Sequence, residues 1–277
     1  MRGPVTPFER MKVAYDRALA SPTYRRLYDN SGYFNYGYWG ANAKTLSEAC
    51  DTLVDHLVEK IAMRGGRVLD VACGPGGTTK RLTRHYSPDN ITGINISEAQ
   101  LAAARERAPG CTFLNMDATR LDFPDAHFTA VICVEAAHHF DTREQFFRES
   151  FRVLKPGGSL VLTDVLPRGF TRPWSVYLQL PLANRLPNIA SFAEQLEGIG
   201  FTDVCVEDGK KVCLGGFRKY LSRWPELERE KGRMSRGKSV VTSAGARVFA
   251  AYFGAICKAY VIASARKPDN GQSPARA

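Results

Sequence analysis

The sequence predicts an α/β fold with a doubly wound, mostly parallel seven-stranded sheet. Three observations carry this prediction. Short apolar segments typical of buried strands recur along the chain, helical segments separate them, and a glycine-rich turn directly follows the first strand. Because a helix between two strands acts as a crossover, neighbouring strands are expected to run parallel. A chain of 277 residues is long for one domain and short for two, so we expect one domain with added segments.

The first half of the predicted domain alternates between helix and strand. Apolar residues recur at helical spacing before the first strand, and Ser97 with Gln100 forms a capping-box pattern at the start of a later helix. In chain order the elements are the helix "TLSEACDTLVDHLVEKIA", the strand "GRVLDVA", the helix "GGTTKRLTRHY", the strand "ITGINI", the helix "SEAQLAAARERA" and the strand "CTFLNMDA".

The second half continues the alternation. Its first strand is apolar throughout, as expected for the centre of a sheet. The helix that follows is capped by Thr142 with Gln145 and is expected to stop at Pro156-Gly157-Gly158. In chain order the elements are the strand "FTAVICVEA", the helix "TREQFFRESFRVLK", the strand "SLVLTDV", the helix "SFAEQLEGIG", the strand "FTDVCVE", the buried helix "RVFAAYFGAICK" and the strand "YVIASARK".

Several segments flank or interrupt this alternation. The tyrosine-rich N-terminal segment 1–45 and the insertion after the fifth strand, 166–190, are expected to form lids over the carboxyl ends of the strands. A further lid insertion is expected at 207–245, and the tail 268–277 is expected to be disordered. The domain itself is therefore predicted to cover 46–267.

The formal net charge of +10 raises the question of a nucleic-acid partner. The densest basic stretch, Arg223 to Lys238, also contains three glutamates, and no recognisable nucleic-acid-binding motif accompanies it. We interpret the charge as a solvated basic face, with attraction of an anionic small substrate as the alternative. No nucleic-acid partner is expected.

Cysteine usage and hydropathy indicate the compartment. The seven cysteines are scattered and never follow a CxxC spacing, so neither a disulfide framework nor a metal site is expected. The N-terminus lacks the apolar core of a signal peptide. The most membrane-like stretch, Val248 to Ala265, is interrupted by Lys258 and is interpreted as a buried helix followed by a strand. These features predict a cytoplasmic protein that does not associate with a membrane.

The glycine-rich turn "DVACGPGG" marks the predicted ligand site. Doubly wound sheets bind ligands beyond the carboxyl ends of their strands, and the first strand-to-helix turn is the usual place. Here Asp70 precedes Gly74 by four positions, and the pattern D-x-x-x-G-x-G lacks the third glycine of the dinucleotide fingerprint. No Walker-type Gly-Lys-Ser/Thr follows. The turn alone leaves dinucleotides, flavins and S-adenosylmethionine (SAM) open.

Five segments in order resemble the landmarks of class I SAM-dependent methyltransferases. They are "VLDVACGPGG", "ITGINIS", "NMDATRLDFPDAHF", "VICVEAAHHF" and "RVLKPGGSLVLTDV". The resemblance covers residues 45–206 and resumes at the final strand. The "GINIS" and "HHF" forms look like small-molecule methyltransferases of bacterial natural-product pathways. The resemblance implies a Rossmann-like methyltransferase fold with SAM as the methyl donor.

The resemblance also implies which residues surround SAM. Asn95 stands where the family usually has an acidic residue for the ribose hydroxyls, so Gln100 is expected to assist it. The matching positions are Asp70, Cys73, Gly74 and Gly76 at the methionine end, Asn95, Ile96 and Gln100 around the ribose, Met116, Asp117 and Ala118 at the adenine, and Val134 and Glu135 beside the sulfonium.

Catalytic candidates follow the fourth and fifth strands. His138 and His139 lie just beyond the fourth strand, and Asp164 ends the fifth. This arrangement resembles certain O-methyltransferases of antibiotic pathways, in which a histidine acts as base and a carboxylate orients it. One of the two histidines is expected merely to pack.

Aromatic side chains are expected to bind the acceptor. Residues of the N-terminal segment and of the insertion would form an aromatic-lined pocket for an apolar or aromatic small molecule. Some related enzymes exchange the N-terminal segment between subunits, which makes a homo-oligomer through this segment a hypothesis. The candidates are Tyr28, Tyr33, Tyr38, Trp39, Trp174 and Tyr177.

The nucleophile is left open by the sequence. Oxygen is the first choice because a histidine base is present, and C-methylation of an isoprenoid alkene, with or without cyclisation, is the alternative because aromatic faces stabilise a carbocation. N-methylation, a nucleic-acid methyltransferase and a non-catalytic SAM-fold partner are the remaining hypotheses. For a diphosphate-bearing alkene, the candidate ligands are Arg25, Arg26, Lys210 and Lys211.

Overall fold

A seven-stranded sheet organises the protein. A computed structural model describes residues 7–40, 42–168 and 181–269, so most of the predicted tail and part of the insertion 166–190 lie outside the described residues. The strands are β1 (Val68–Val71), β2 (Ile91–Asn95), β3 (Thr112–Asn115), β4 (Phe128–Val134), β5 (Leu154–Pro167), β6 (Thr202–Asp208) and β7 (Cys257–Arg266).

The strand order is β3-β2-β1-β4-β5-β7-β6. Neighbouring strands from β3 to β5 pair in parallel, whereas β7 runs antiparallel to both β5 and β6. The order reverses between β1 and β4, and this is the position where doubly wound sheets bind ligands. The predicted doubly wound, mostly parallel sheet is confirmed.

Helices cover both faces of the sheet. Thr45 forms a complete capping box with Glu48, while Ser97 and Thr142 cap their helices by accepting hydrogen bonds from the backbone N–H groups of Gln100 and Gln145, as predicted. The helices of the described residues are α1 (Pro7–Ala20), α2 (Pro22–Leu27), α3 (Leu46–Glu59), α4 (Gly77–Leu82), α5 (Glu98–Arg107), α6 (Arg143–Val153), α7 (Ile189–Glu197), α8 (Leu214–Glu230) and α9 (Arg236–Ile256).

The core lies in two layers, one on each face of the sheet. On one face, α3, α8 and α9 contribute residues such as Leu53, Phe217 and Phe253. On the other face, α6 and α7 contribute Phe147 and Phe192. The central strands are buried on both sides, which explains their continuous apolar sequences.

The fifth strand starts earlier than predicted. The preceding helix ends at Val153, and β5 begins at Leu154, so Pro156-Gly157-Gly158 lies inside the strand rather than in a turn. The reason is a long-range pairing: the Gly157 N–H donates to the Lys267 carbonyl, and the Lys267 N–H donates to the Gly158 carbonyl. Lys267, the residue directly after β7, thus extends β5 at its N-terminal end.

The last helix also differs from the prediction. It covers Arg236–Ile256, so the predicted insertion boundary at residue 245 falls inside a helix, and the insertion is the α8–α9 pair. The stretch Val248 to Ala265 is a helix followed by a strand, as predicted. The prediction that this helix is buried is wrong. Among the described residues, α9 alone has the length and composition to cross a membrane, and 17% of its most apolar stretch is buried.

Candidate functional site

The glycine-rich turn joins β1 to α4 at the carboxyl edge of the sheet. Gly76 has a φ of +85°, and a Cβ there would lie 2.8 Å from the Ala104 Cα of α5. At Gly77 a Cβ would lie 2.7 Å from the carbonyl oxygen of Gly32, which accepts a hydrogen bond from the Gly77 N–H. The glycines therefore let the turn pack against both α5 and the N-terminal segment.

A cavity of about 320 Å³, called here the turn cavity, lies above this turn. Its walls come from the ends of β1 to β4 and from the N-terminal segment, which contributes Tyr15 and Phe34. Of the predicted cofactor positions, Gly76 does not line the cavity. It is the N-cap of α4 and packs against α5. The predicted positions that line the cavity are Asp70, Cys73, Gly74, Asn95, Ile96, Gln100, Met116, Asp117, Ala118, Val134 and Glu135.

Asp70 forms the floor of the turn cavity. Its carboxylate accepts a hydrogen bond of 2.6 Å from the Thr79 hydroxyl. Burial raises the pKa of Asp70 to about 7, against a partial lowering by Thr79. A cation in the cavity would favour the ionised form of this carboxyl.

The corner at the end of β2 is tied to the N-terminal helix. Asn95 Oδ1 accepts from the N–H groups of Ile96 and Ser97, and its Nδ2 donates to Gln100 Oε1 at 3.1 Å. Gln100 Nε2 and the Ser97 hydroxyl both donate to Asp16 Oδ1, at 3.0 and 2.6 Å. The carboxylate of Asp16 on α1 thus holds Ser97 and Gln100 in place beside Asn95. The sequence did not predict this role.

Glu135 follows β4 in a left-handed conformation with φ of +53°. Backbone of this kind in a non-glycine residue is costly and concentrates at functional sites. Glu135 Oε1 accepts hydrogen bonds from the Tyr36 N–H at 2.8 Å and the Tyr260 hydroxyl at 2.5 Å. Burial raises the pKa of Glu135 to about 8, although both hydrogen bonds lower it.

The two candidate histidines face different partners. His138 Nδ1 lies 2.5 Å from Asp164 Oδ1, and His138 does not line the turn cavity. His139 does line it, and its Nε2 lies 3.3 Å from the Tyr15 hydroxyl. The structure therefore divides the predicted trio: the carboxylate of Asp164 contacts His138, while His139 faces the cavity.

Asp164 belongs to a fully buried ion pair. Arg143 Nε donates to Asp164 Oδ2 at 2.7 Å, and neither side chain is exposed. Burial alone would raise the pKa of Asp164, but the charges of Arg143 and His138 hold it down at about 2. Arg143 therefore balances the charge of this buried carboxylate, and the backbone N–H of His138 also donates to it, at 3.1 Å.

Asn184 connects this network to the loop that carries the histidines. Its Nδ2 donates to the carbonyls of His138 and Phe140, at 3.1 and 2.6 Å, and its carbonyl accepts from Arg143 Nη1 at 2.8 Å. Asn184 and Arg143 therefore position His139 without lining the cavity. The sequence predicted neither residue, because both contact partners that lie far away along the chain, in other helices, strands or loops.

A second cavity of about 510 Å³, called here the aromatic cavity, adjoins the first. Tyr15 and Phe34 line both cavities. The remaining walls are mostly apolar and come from α2, α8, α9 and the segment after α2. They are Thr23, Tyr24, Leu27, Tyr28, Tyr36, Phe217, Leu221, Trp224, Thr242, Gly245, Ala246 and Phe249.

The predicted acceptor-binding aromatics divide between these cavities and the core. Tyr28 lines the aromatic cavity and Tyr33 the turn cavity. Tyr38 and Trp39 line neither, which corrects their assignment. Tyr38 stacks on His56 at 4.7 Å, and Trp39 packs 5.2 Å from Tyr220. Trp174 and Tyr177 lie outside the described residues.

The proposed diphosphate ligands do not gather at a site. Arg25, Arg26, Lys210 and Lys211 line neither cavity, and the ammonium group of Lys210 donates to the Cys257 carbonyl at 2.5 Å. Within the described ranges, no group of three or more histidine, cysteine, aspartate or glutamate side chains is arranged to hold a metal ion.

The residues of the turn cavity fit a molecule such as SAM. The positively charged end of such a ligand matches the two buried carboxyls of Asp70 and Glu135. Burial raises the pKa of both carboxyls, and a cation beside them would favour their ionised form. Met116 and Ile96 offer apolar walls for a flat ring, and Asp117 Oδ1 is fixed by the N–H and hydroxyl of Thr119 at 2.8 Å each.

Comparison with known proteins agrees with this fit. The family described as "Methyltransferase domain" matches residues 69–162. The chain is 29% identical over 291 residues to erythromycin 3''-O-methyltransferase of Saccharopolyspora erythraea, covering 95% of this chain and 92% of that protein. It is 31% identical over 239 residues to phthiotriol/phenolphthiotriol dimycocerosates methyltransferase of Mycobacterium tuberculosis, covering 78% and 88%. Among solved structures, the 4+2 cyclase SpnF matches with a TM-score of 0.70 and 28% identity, covering 96% and 98%.

Proposed function

The chain belongs to the class I SAM-dependent methyltransferases of bacterial natural-product type, and we propose that it methylates a hydroxyl group of an apolar acceptor with His139 as the base. It is a methyltransferase that uses SAM as cosubstrate and a small molecule as acceptor. The oxygen nucleophile, the base and the acceptor class are the proposed part.

SAM, when bound, supplies a methyl group on a positively charged sulfur, so the leaving group needs no proton. The protein must therefore align the acceptor and remove the proton of a hydroxyl nucleophile. Alignment in a closed cavity is worth on the order of 7–11 kcal/mol, and a positioned base roughly 10²- to 10⁴-fold in rate. Asp70 and Glu135 would hold the charged end, and Met116 with Asp117 would hold the adenine.

The position of His139 at the junction of the two cavities carries the proposal. Its Nε2 contacts the hydroxyl of Tyr15 at 3.3 Å, and Tyr15 lines both cavities. An acceptor hydroxyl that takes the place of the Tyr15 hydroxyl would give its proton to His139 Nε2. The aromatic cavity then holds the body of the acceptor, and the turn cavity holds the methyl donor.

Tyr15 is suited to guide a hydroxyl but not to act as the base. Burial, together with the charge of Glu135, raises the pKa of Tyr15 to about 12. The phenol therefore keeps its proton at neutral pH and donates a hydrogen bond. His139 is left as the proton acceptor at the junction.

The acceptor class follows from the walls of the aromatic cavity. Burial raises the pKa of Tyr28 and Tyr36 well above the usual range, so their phenols stay neutral. A cavity of about 510 Å³ with aromatic walls suits a large apolar ring system or chain. The erythromycin relative is named as an O-methyltransferase, which supports the same nucleophile here.

The test is methylation of a panel of hydroxylated macrolides and polyketides with SAM. We expect formation of S-adenosylhomocysteine that depends on the acceptor, and nuclear magnetic resonance should place the new methyl group on oxygen. His139→Ala should lose this activity while it still binds SAM. A methyl group on carbon or nitrogen, or full activity of His139→Ala, would overturn the proposal.

C-methylation of an alkene, with or without ring formation, is the second candidate. The observation that favours it is the position of Glu135, which lines the turn cavity close to the aromatic walls through its bond to Tyr36. Aromatic faces and a carboxylate both stabilise a carbocation. Among the described residues that line the two cavities, Lys12 is the only lysine or arginine, which favours an alkene without a diphosphate.

A further inference from the structure

The outward side of α9 is apolar. Four of the six large apolar residues that are exposed among the described residues belong to this one helix. Val241 is 73% exposed and Val248 71%. The surface formed by Val240, Val241, Ala244, Val248 and Ala251, all exposed, is called here the α9 face.

The outward side of α9 differs from that of an ordinary surface helix. A helix on the surface of a soluble domain turns its polar residues outward. In α9 the buried positions include Ser239, whose hydroxyl donates to the Pro225 carbonyl at 3.0 Å, whereas valines point outward. Contiguous apolar surface of this kind marks an interaction site.

The fold holds α9 flat against the domain. Ala250 and Phe253 are buried in the core, and the chain enters β7 directly after Ile256. Because β7 pairs with both β5 and β6, the C-terminal end of α9 is fixed at the sheet, and the buried Ala250 and Phe253 hold its last turns against the core. A helix fixed in this way can lie on a bilayer surface but cannot cross the bilayer.

The charge of α9 suits an anionic surface. Its 21 residues include Arg236, Lys238 and Arg247 but no aspartate or glutamate. The whole chain carries a formal net charge of +10. Basic residues that flank an apolar helical face are typical of helices that bind anionic lipid at the bilayer interface.

The same helix forms one wall of the aromatic cavity. Thr242, Gly245, Ala246 and Phe249 line that cavity. Phe249 is also 51% exposed and lies parallel to Phe253, with ring centroids 5.9 Å apart. Phe249 therefore stands at the boundary between the cavity and the α9 face.

We propose that the α9 face docks on the surface of an anionic lipid bilayer, with the helix lying flat and the mouth of the aromatic cavity beside Phe249 turned toward the lipid. This replaces the expectation from the sequence that the protein does not associate with a membrane. Docking requires only the α9 face and its basic residues. The consequence that an apolar acceptor enters from the lipid rests on the proposed function.

The test is flotation of the full-length protein with vesicles of phosphatidylglycerol and phosphatidylcholine, without SAM or acceptor. The protein should float with anionic vesicles and stay in solution with pure phosphatidylcholine. The double variant Val241→Ser, Val248→Ser should bind on the order of tenfold more weakly, because two exposed apolar side chains no longer enter the interface. Leu182→Ser, at a residue 74% exposed outside α9, should bind like the unchanged protein.

Three results would overturn the docking proposal. The first is no flotation with anionic vesicles at any composition. The second is equal binding of the double variant and the unchanged protein. The third is a stable dimer in solution that the same two substitutions convert to monomers, because a second copy would then cover the α9 face. None of these results depends on methyl transfer, so failure of docking leaves the proposed O-methylation standing, and the reverse also holds.

Discussion

The turn cavity and the aromatic cavity share Tyr15 and Phe34, yet different kinds of structure build them. The turn cavity is lined mainly by residues at the ends of β1 to β4, where a parallel sheet brings successive turns to one edge. The aromatic cavity is lined by helices from both ends of the chain, α1, α2, α8 and α9. The first cavity thus belongs to the common fold, and the second belongs to the segments added to it.

The proposed function assigns one substrate to each cavity. Changes in the turn cavity should alter SAM binding, changes in the aromatic cavity should alter acceptor binding, and changes at their junction should alter the rate alone. The largest effect is expected at the junction.

His139→Ala should lower kcat by roughly 10²- to 10⁴-fold, because the acceptor hydroxyl loses its proton acceptor. The dissociation constant of SAM, measured by calorimetry, should change by less than about twofold, since the charged end and the adenine are assigned to other lining residues and the loss falls on the transition state. Tyr15→Phe is the matched control. It removes the hydroxyl that contacts His139 and keeps the ring, and should cost less than His139→Ala. An unchanged kcat would reduce His139 to a packing residue.

Arg143→Met should destabilise the protein by about 3–5 kcal/mol, because it leaves the buried charge of Asp164 without its guanidinium partner. Urea unfolding measures this loss. Adding Asp164→Asn should recover part of the stability, since the uncompensated charge is then removed. Equal stability of the single and double variants would contradict the role assigned to this ion pair.

Asp16→Ala should weaken SAM binding on the order of tenfold, because it removes two hydrogen bonds to a carboxylate that tie α1 to Ser97 and Gln100. Val13→Ser, at an exposed position of the same helix, serves as the control and should bind SAM normally. If Asp16→Ala changes only the acceptor KM, the turn cavity does not depend on α1.

Leu221→Ala should raise the acceptor KM by about fivefold through lost apolar contact in the aromatic cavity. The affinity for SAM should stay unchanged, because Leu221 does not line the turn cavity. A parallel loss of SAM affinity would show that the two cavities are not independent.

The smallest effect is a release of about one proton when SAM binds near pH 7. Burial raises the pKa of Glu135 to about 8 and that of Asp70 to about 7, so the free protein holds protons that a bound cation displaces. The release should vanish well above pH 8, where both carboxyls are already ionised in the free protein. Calorimetry in buffers of different ionisation enthalpy measures it, and Glu135→Gln should reduce it.

The raised pKa of Glu135 also determines how the stability of the protein depends on pH. Between the ordinary carboxyl pKa and about 8, the unfolded chain has lost the Glu135 proton while the native protein keeps it. The stability of the free protein should therefore fall as pH rises through this range. Glu135→Gln should flatten that dependence in urea unfolding experiments.

The parts of the fold that sequence could predict are the local ones. The glycine turn, the caps at Ser97 and Thr142 and the strands up to β4 follow from spacing within short segments. Eleven of the twelve predicted cofactor positions line one cavity, because a parallel sheet gathers the ends of its strands. The pairing of Lys267 with Gly157, which starts β5 early, depends on residues far apart and left no local pattern.

The remaining differences have the same origin. Asp16 reaches Ser97 across 81 positions of the chain, and Asn184 reaches His138 across 46. In α9, alanine, glycine and valine occur on all sides, so periodicity could not tell which side faces the core. Tyr38 and Trp39 belong to an aromatic run in which only the tertiary packing decides which rings meet a cavity.

Tyr15 and Asp16 are neighbours on α1. Tyr15 contacts His139, and Asp16 accepts hydrogen bonds from Ser97 and Gln100 at the end of β2. Under the proposed function, the binding of both ligands therefore depends on this one turn of α1. By thermodynamic linkage, whichever ligand binds first lowers the entropic cost for the other, and the cooperativity must be equal in both directions. The dissociation constant of S-adenosylhomocysteine with and without acceptor should change by the same factor as that of the acceptor with and without S-adenosylhomocysteine, and Asp16→Ala should bring both factors toward unity.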